Sequence, residues 1–329
     1  MQARIACLSP FDGGTVRAML KGRHRVEVLL VPPPPAQADV AAACADADLV
    51  IADRRHTHQI DRAVLQQMSR CLLIQQAAVG FDSIDHHAAA ELGIPVANAA
   101  GYNKDSVADW TVMAMIALLR RSHWLDRQLR AGGWHASDPL RSEETMGREL
   151  GAMTVGIIGM GNIGSAVAHR VAAFGARILF ADAVPRTAPN AVQVDLETIL
   201  LESDIVCVHA PLDLDTKALI GREALFRMKK GSYVVNAARG AIVDETALVD
   251  ALRSGHLAGA GLDVFEVEPL PLDSPLRSLD NVVLAPHRAG ATLDADARLI
   301  EVIGENLMRV LDGQPPVNVV NGVIAARVR

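Results

Sequence analysis

Three side chains that suit acid–base chemistry follow predicted buried strands in the second half of the chain. They are Arg239, Glu268 and His287, and each comes shortly after a short apolar run. In an open parallel α/β sheet, ligands bind beyond the carboxyl ends of the strands. We therefore expect these three residues at a ligand-binding edge of a sheet.

Together, the three residue types could reduce a 2-oxo acid. Arg239 would anchor the carboxylate through a bidentate fork and polarise the carbonyl, and His287 would donate a proton to the ketone oxygen. Glu268 would orient and tune His287, and a nicotinamide would supply the hydride. Simpler interpretations remain open at this point: a helix cap for Arg239, a surface acid for Glu268 and a core histidine for His287.

A dinucleotide-binding turn is predicted where an apolar strand meets the spacing G-x-G-x-x-G. Gly159 would allow a tight turn, Gly161 would let the backbone approach a pyrophosphate, and Gly164 would let helix and strand pack closely. Asp182 ends the next apolar run, about twenty residues further on, where a carboxylate can bind a ribose 2′-hydroxyl. Its charge would repel a 2′-phosphate and so favours NAD(H) over NADP(H). The alternative is an ordinary glycine-rich turn without a ligand.

Short apolar runs alternate with helical patterns in two series, one before Asn98 and one after Met153. This alternation predicts an α/β protein with two doubly wound parallel sheets, a flavodoxin-like substrate domain and a Rossmann NAD-binding domain, separated by a cleft. A final helix from Thr292 to Asp312 would return to the first domain. The predicted domains are therefore 1–101 with 291–329 for substrate, and 102–290 for NAD.

Two segments join the series. Ser106 to Arg121 is predicted as a long helix with apolar residues on most faces, which implies burial on more than one side. Ser122 to Leu150 has no clean period and is interpreted either as an arm that reaches a second subunit or as a plain surface loop.

Composition limits the possible partners. The 329 residues are 50% hydrophobic and 21% charged, with a net charge of −6, which is typical of a soluble globular protein with about two domains. Without a long basic run, nucleic acid and an anionic membrane surface are not expected partners. The sequence has no signal-peptide pattern or spanning stretch, which predicts a cytoplasmic protein. The four cysteines lack metal-binding spacing and are interpreted as buried hydrophobes, with no metal site.

Most of the chain resembles the D-isomer-specific 2-hydroxyacid dehydrogenase family. The matching segments extend from Ala77–Asp85 to Ala285–Gly290, and the most specific are Met228–Gly240 and Gly261–Pro269. The resemblance implies that Arg239, Glu268 and His287 are the catalytic arginine, glutamate and histidine, in the roles given above.

The resemblance also implies the binding residues and the oligomeric state. The cofactor contacts would come from Gly159, Gly161, Asn162, Ile163, Gly164, Asp182, Ala210, Ala237, Asp263 and Gly290, with Asp263 bonded to the nicotinamide carboxamide. The substrate would be bound by Arg55, Ala78, Val79, Gly80, Arg239 and Arg288. The family forms homodimers through the segment that matches 102–150, which favours the arm interpretation.

Four positions depart from the family pattern: Ala78 stands for a glycine, Asp109 for a glutamate, Ala285 for a threonine, and Arg288 for a small or aliphatic residue. A methyl group on Ala78 would narrow the approach to the substrate loop. Arg288 would either favour a dianionic or phosphorylated acid or point to solvent.

Two alternative functions remain. The resembled fold includes NAD-sensing corepressors, although the chain lacks long flanking tails. Formate- or phosphite-type dehydrogenases use the same scaffold, but formate enzymes usually replace with glutamine the glutamate that Glu268 retains.

Overall fold

The computed structural model describes residues 2–31, 36–133 and 146–324. It divides into two compact units, Met1–Asn103 with Thr292–Arg329, and Lys104–Ala291. Each unit contains one wholly parallel sheet with helices, so the predicted fold class is confirmed.

The first unit contains a five-stranded sheet in the order β2-β1-β3-β4-β5, which is the flavodoxin-like order. Its strands are β1 (Ala3–Cys7), β2 (Val26–Leu30), β3 (Leu49–Ala52), β4 (Leu73–Gln76) and β5 (Val96–Ala97). Its helices are α1 (Gly13–Met19), α2 (Gln37–Ala45), α3 (Arg62–Gln67), α4 (His86–Glu91) and α11 (Leu293–Leu311).

Helix α11 packs against the first sheet. Leu299, Ile303 and Leu307 are fully buried in one core with residues of β1, β3 and β4. Gly304 permits a close approach, since a Cβ there would lie 2.5 Å from the Met19 carbonyl oxygen of α1. The first unit is thus completed by a helix from the far end of the chain.

The second unit contains a seven-stranded sheet in the order β12-β11-β10-β9-β6-β7-β8, the Rossmann order extended by β12. Its strands are β6 (Thr154–Ile158), β7 (Arg177–Ala181), β8 (Ala191–Gln193), β9 (Ile205–Val208), β10 (Ser232–Asn236), β11 (Leu257–Leu262) and β12 (Val282–Leu284). Its helices are α5 (Lys104–Leu119), α6 (Ser122–Arg130), α7 (Asn162–Ala172), α8 (Leu196–Glu202), α9 (Arg222–Arg227) and α10 (Glu245–Arg253).

The apolar pattern of α5 is explained by its packing, because ten of its residues are buried and it contributes to the core beneath the second sheet. The sequence predicted irregular structure from Ser122 onward. This prediction is wrong for Ser122–Arg130, which form the helix α6 with no buried residue. Residues 134–145 of the predicted arm lie outside the described residues. The edge strand β8 was not predicted, since three partly exposed residues leave little apolar signal.

All four cysteines are buried and free, as expected. Burial raises the pKa of the Cys7 thiol to about 11 and that of Cys44 to about 12. In the part of the chain that the structure describes, no helix is both long enough and apolar enough to cross a membrane.

Candidate active site

The three predicted catalytic residues follow three neighbouring strands of the second sheet. Arg239 comes after β10, Glu268 after β11, and His287 after β12. Because these strands are parallel and adjacent, their carboxyl ends lie side by side at one edge. The topology therefore gathers at one edge residues that are up to 48 positions apart in the sequence.

His287 and Glu268 form a direct pair. His287 Nδ1 lies 2.8 Å from Glu268 Oε2, and the other carboxylate oxygen accepts a hydrogen bond of 3.0 Å from the Phe265 N–H. The His287 side chain is 50% exposed, so the core-histidine interpretation is wrong. With Nδ1 held by Glu268, Nε2 is the ring atom left to exchange a proton with a ligand.

The electrostatic surroundings keep Glu268 ionised. Burial by itself raises the pKa of Glu268, but hydrogen bonds from His287 and Phe265 and the positive charges of His287 and Arg239 outweigh it. The net pKa is below the ordinary value of a glutamate. A carboxylate that stays charged can stabilise an imidazolium on His287 whenever the ring is protonated.

Asn236 holds the backbone that presents Arg239. Its side-chain amide donates a 2.9 Å hydrogen bond to the Arg239 carbonyl, and its side-chain oxygen accepts a 3.0 Å bond from the Ala238 N–H. The Arg239 guanidinium in turn donates to the Ala238 carbonyl at 2.8 Å. This compact turn fixes where the arginine side chain begins.

Asp263 has a structural contact that the sequence did not reveal. Its carboxylate oxygens accept hydrogen bonds of 2.7 Å from the Arg288 N–H and 2.9 Å from the Ala289 N–H. Its carbonyl accepts a third, of 2.7 Å, from the His287 N–H. His287 has a left-handed backbone with φ of 54°, a conformation that costs a non-glycine residue about 1 kcal/mol. Asp263 therefore braces the turn that carries His287.

Burial is the main influence on Asp263 itself. The side chain is almost fully buried, and this raises the pKa of Asp263 above its ordinary value although the two N–H groups oppose the rise. The sequence could not indicate the hydrogen bonds from Asp263 to the turn that carries His287, because Asp263 and Arg288 are separated by 25 residues.

The glycine-rich turn has the geometry that a dinucleotide requires. Gly159 has φ of 91°, and a Cβ on it would lie 2.7 Å from the Ala210 N atom. A Cβ on Gly164 would lie 2.0 Å from the Gly159 carbonyl oxygen, whereas one on Gly161 would meet nothing within 4 Å. The turn is therefore tightly packed on its inner side and open at Gly161, so the residues present fit a nicotinamide dinucleotide.

Asp182 lies beside this turn. Its carboxylate accepts a 2.8 Å hydrogen bond from the Met160 N–H and a 3.2 Å bond from the Val184 N–H, and it forms a 2.9 Å ion pair with Arg186. Burial raises the pKa of Asp182, but these partners outweigh it and the net pKa is lowered. Sequence reasoning missed Arg186, although an arginine four residues after the expected ribose acid was a readable signal.

The remaining candidate residues fall in two groups. Asn162 and Ile163 open α7, and Ala210, Ala237 and Gly290 follow β9, β10 and β12, so all share the edge of the second sheet with the catalytic residues.

Four substrate candidates belong to the first unit: Arg55 is exposed after β3, and Ala78, Val79 and Gly80 follow β4. Arg288 is exposed beside His287. Asp109, at a family glutamate position, binds Arg170 at 2.6 Å.

Comparison with known proteins identifies the family. Residues 112–289 match the family model described as D-isomer specific 2-hydroxyacid dehydrogenase, NAD binding domain. The glyoxylate reductase of Thermofilum pendens is 43% identical over 270 residues, which cover 80% of this chain and 79% of that enzyme. The chain belongs to the D-isomer specific 2-hydroxyacid dehydrogenase family and is an NAD-dependent D-2-hydroxyacid dehydrogenase.

Solved structures agree over nearly the whole chain. The TT0316 protein of Thermus thermophilus is 37% identical with a TM-score of 0.84, covering 96% of this chain and 99% of that one. An acyclic imino acid reductase in complex with NADPH and D-Arg is 25% identical with a TM-score of 0.87, with the same coverages. The predicted family resemblance is thus confirmed.

Proposed function

We propose that the protein reduces a small 2-oxo acid to its (R)-2-hydroxy acid, with His287 as general acid and, in the reverse direction, general base. The observation that carries this proposal is the 2.8 Å contact between His287 Nδ1 and Glu268 Oε2. That contact orients the ring and leaves Nε2 for proton exchange at a substrate oxygen.

The roles of the three residues follow from their chemistry. Transfer of a hydride to C2 of the acid is what a nicotinamide supplies when bound. His287 Nε2 gives its proton to the ketone oxygen as the carbonyl becomes a hydroxyl, and Glu268 stabilises the imidazolium beforehand. Arg239 pairs with the substrate carboxylate and polarises the carbonyl.

The preferred cofactor is NADH rather than NADPH. Asp182 is the residue responsible, because its carboxylate lies beside the glycine turn and accepts the Met160 N–H at 2.8 Å. A carboxylate there can accept hydrogen bonds from ribose hydroxyls and repels a 2′-phosphate. Asp263, buried at the same sheet edge, would bond the carboxamide.

The substrate is a small acid, in keeping with a relative named glyoxylate reductase. Backbone N–H groups of Ala78, Val79 and Gly80 would bind its carboxylate, with Arg55 as a polar pocket residue. If the exposed Arg288 contacts the substrate, it adds a second positive charge and favours a dianionic or phosphorylated acid. If it points to solvent instead, monoanionic acids are preferred.

The active form is a homodimer assembled through 102–150. Helix α6 has no buried residue, yet Leu125 and Leu129 on it are 41% and 55% exposed, and Met113 on α5 is 45% exposed. Apolar side chains left exposed on these two helices favour a protein partner, and a second copy would cover both helices symmetrically. Sedimentation of the wild type and of a Leu125→Glu/Leu129→Glu variant tests this, since a wild-type monomer would contradict it.

A steady-state assay tests the catalytic proposal. Oxidation of NADH and NADPH is followed with glyoxylate, pyruvate, hydroxypyruvate and a phosphorylated 2-oxo acid, and reduction of NAD⁺ with formate and phosphite. We expect turnover with at least one 2-oxo acid and NADH. Binding of NADH with no turnover on any acid would favour the corepressor-like alternative. Turnover with formate or phosphite alone would favour a formate- or phosphite-type dehydrogenase.

A further inference from the structure

Two loops of the first unit lie side by side at the carboxyl edge of its sheet. The arginine loop, residues 53–59, follows β3 and carries the exposed Arg55. The amide loop, residues 77–83, follows β4 and contains the backbone of 78–80. Because β3 and β4 are adjacent and parallel, both loops leave the sheet at the same edge. The first unit therefore presents its two kinds of substrate candidate on two separate loops.

Asp53 closes the arginine loop into a tight turn. One carboxylate oxygen accepts the Arg55 N–H at 3.0 Å, and the other accepts the N–H and the hydroxyl of Thr57 at 2.8 and 2.6 Å. Burial alone raises the pKa of Asp53, but these hydrogen bonds outweigh it and the net pKa is lowered. The turn places His56 in a left-handed conformation with φ of 55°.

The His56 ring joins this turn to both ends of the amide loop. Its Nδ1 lies 3.0 Å from Ser83 Oγ, and its Nε2 lies 3.5 Å from the side-chain amide nitrogen of Gln76. Gln76 ends β4, Ser83 ends the amide loop, and both residues are buried. The same Gln76 amide donates to the Asp53 carbonyl at 3.2 Å. One ring thus connects the arginine loop to residues on both sides of 78–80.

The amide loop is held separately on the side of β5. The Asn98 side-chain amide donates to the Val79 carbonyl at 2.7 Å, and the Ala99 N–H donates to the Ala78 carbonyl at 3.0 Å. In a trans peptide the C=O and N–H groups point in opposite directions, so the N–H groups of Val79 and Gly80 point away from Asn98 and Ala99. With the amide loop held in this way, the contacts of His56 decide how far the arginine loop lies from it.

We propose that His56 is a positioning residue that sets the spacing between the Arg55 side chain and the N–H groups of the amide loop, and so favours 2-oxo acids with a polar group on C3. The inference rests on the proposed function, in which both loops bind the substrate. The carboxylate of such an acid is bound by the amide loop while its C3 hydroxyl or phosphate reaches Arg55. Recognition at two points depends on their spacing, because groups that are already in place lose little freedom on binding.

A histidine suits this position for two physical reasons. A left-handed backbone is more common for histidine than for most other non-glycine residues. The imidazole also has a polar nitrogen on each side of the ring, so that one side chain reaches Ser83 and Gln76 together. An aliphatic side chain at position 56 would bond to neither.

Steady-state kinetics with hydroxypyruvate, pyruvate and glyoxylate test the proposal on the wild type, Arg55→Ala, His56→Gly and the double variant. Glycine keeps the left-handed backbone and removes the ring. We expect His56→Gly to raise KM about tenfold for hydroxypyruvate and less than about twofold for the other two acids, with kcat changed less than about threefold. The double variant should be within about twofold of Arg55→Ala, because the spacing matters only while both attachments exist.

Two further variants separate the ring from the backbone. His56→Asn should raise the KM for hydroxypyruvate only about threefold, because asparagine tolerates the same backbone and provides a polar amide. Lys21→Gly is the matched control, since Lys21 also has a left-handed backbone, with φ of 50°, but is exposed after α1. It should leave every KM unchanged. The dissociation constant for NADH should be the same in all variants and shows that each is folded.

An unchanged KM for hydroxypyruvate in His56→Gly, an equal rise for all three acids, or additive effects in the double variant would overturn the inference and leave the proposed function intact. So would a wild type that reduces glyoxylate or pyruvate but not hydroxypyruvate. A wild type that binds NADH and reduces no 2-oxo acid would instead overturn the proposed function, and the inference with it.

Discussion

His287 Nδ1 lies 2.8 Å from Glu268 Oε2, and each residue follows one of two adjacent parallel strands. The carboxylate is further held by the Phe265 N–H, so the pair has little freedom to rotate. A histidine that is oriented at Nδ1 and has a half-exposed side chain can exchange protons with a ligand. This relationship underlies the first prediction.

Replacing His287 by Gln should lower kcat by about 100-fold or more, because the amide cannot transfer a proton. The dissociation constant for NADH should change little, since His287 is assigned to the substrate oxygen rather than to the cofactor. Steady-state kinetics and fluorescence titration of NADH measure the two effects separately. Turnover at the wild-type rate in this variant would refute the assignment.

Replacing Asp263 by Asn should weaken the turn that carries His287. The amide oxygen can accept one of the two N–H groups of Arg288 and Ala289, but the amide nitrogen would face the other. A buried N–H left unpaired costs about 1–3 kcal/mol of unfolding free energy, and kcat should fall as His287 loses its position.

Urea unfolding and kcat check the Asp263 prediction. Asp250→Asn is a suitable control, because Asp250 is a surface residue of α10 that pairs with Arg222. If Asp263→Asn matched this control in both measurements, the bracing role would be untenable.

Replacing Asp182 by Ala should narrow the preference for NADH over NADPH. It removes the predicted ribose contact and also the 2.8 Å acceptor of the Met160 N–H, so both cofactors should bind somewhat less tightly. The ratio of kcat/KM for the two cofactors is therefore the informative quantity, and Asp182→Ser should alter it in the same direction. An unchanged ratio would count against the ribose contact.

His209 should make folding sensitive to mild acid. Both ring nitrogens are buried without a hydrogen-bond partner among the described residues, and burial lowers the pKa of His209 to about 4 from its ordinary 6.5. Between these values the unfolded chain binds a proton that the folded protein does not. The unfolding free energy should therefore fall as the pH is lowered from 6.5 to 4, by up to about 3 kcal/mol from this residue.

His209→Asn should remove that part of the pH dependence, whatever constant cost the substitution adds. Urea unfolding at about pH 7, 5.5 and 4.5 compares the two proteins. Parallel curves for the wild type and the variant would show that His209 does not titrate in this way.

Local pattern was sufficient for many features of this protein. Apolar runs bounded by turns predicted the strands of both sheets except β8, and the spacing of Gly159, Gly161 and Gly164 predicted the turn between β6 and α7. These signals are local because a buried parallel strand must be apolar along its length, and a tight turn needs a glycine at a positive φ. The polar helix α6 and the short edge strand β8 were not predicted, because neither has the buried apolar residues that produce such a local pattern.

The sequence by itself determined the fold class, the family and the residue types available for chemistry. The contact of Glu268 with His287 was expected from the sequence, but only the tertiary structure revealed those of Asp263 with the backbone of Arg288 and Ala289, and of Arg186 with Asp182. The first two contacts depend on the order of strands in the sheet, which places β11 beside β12. The third depends on how an irregular loop turns after β7, since neither strand nor helix periodicity fixes the direction of a side chain there.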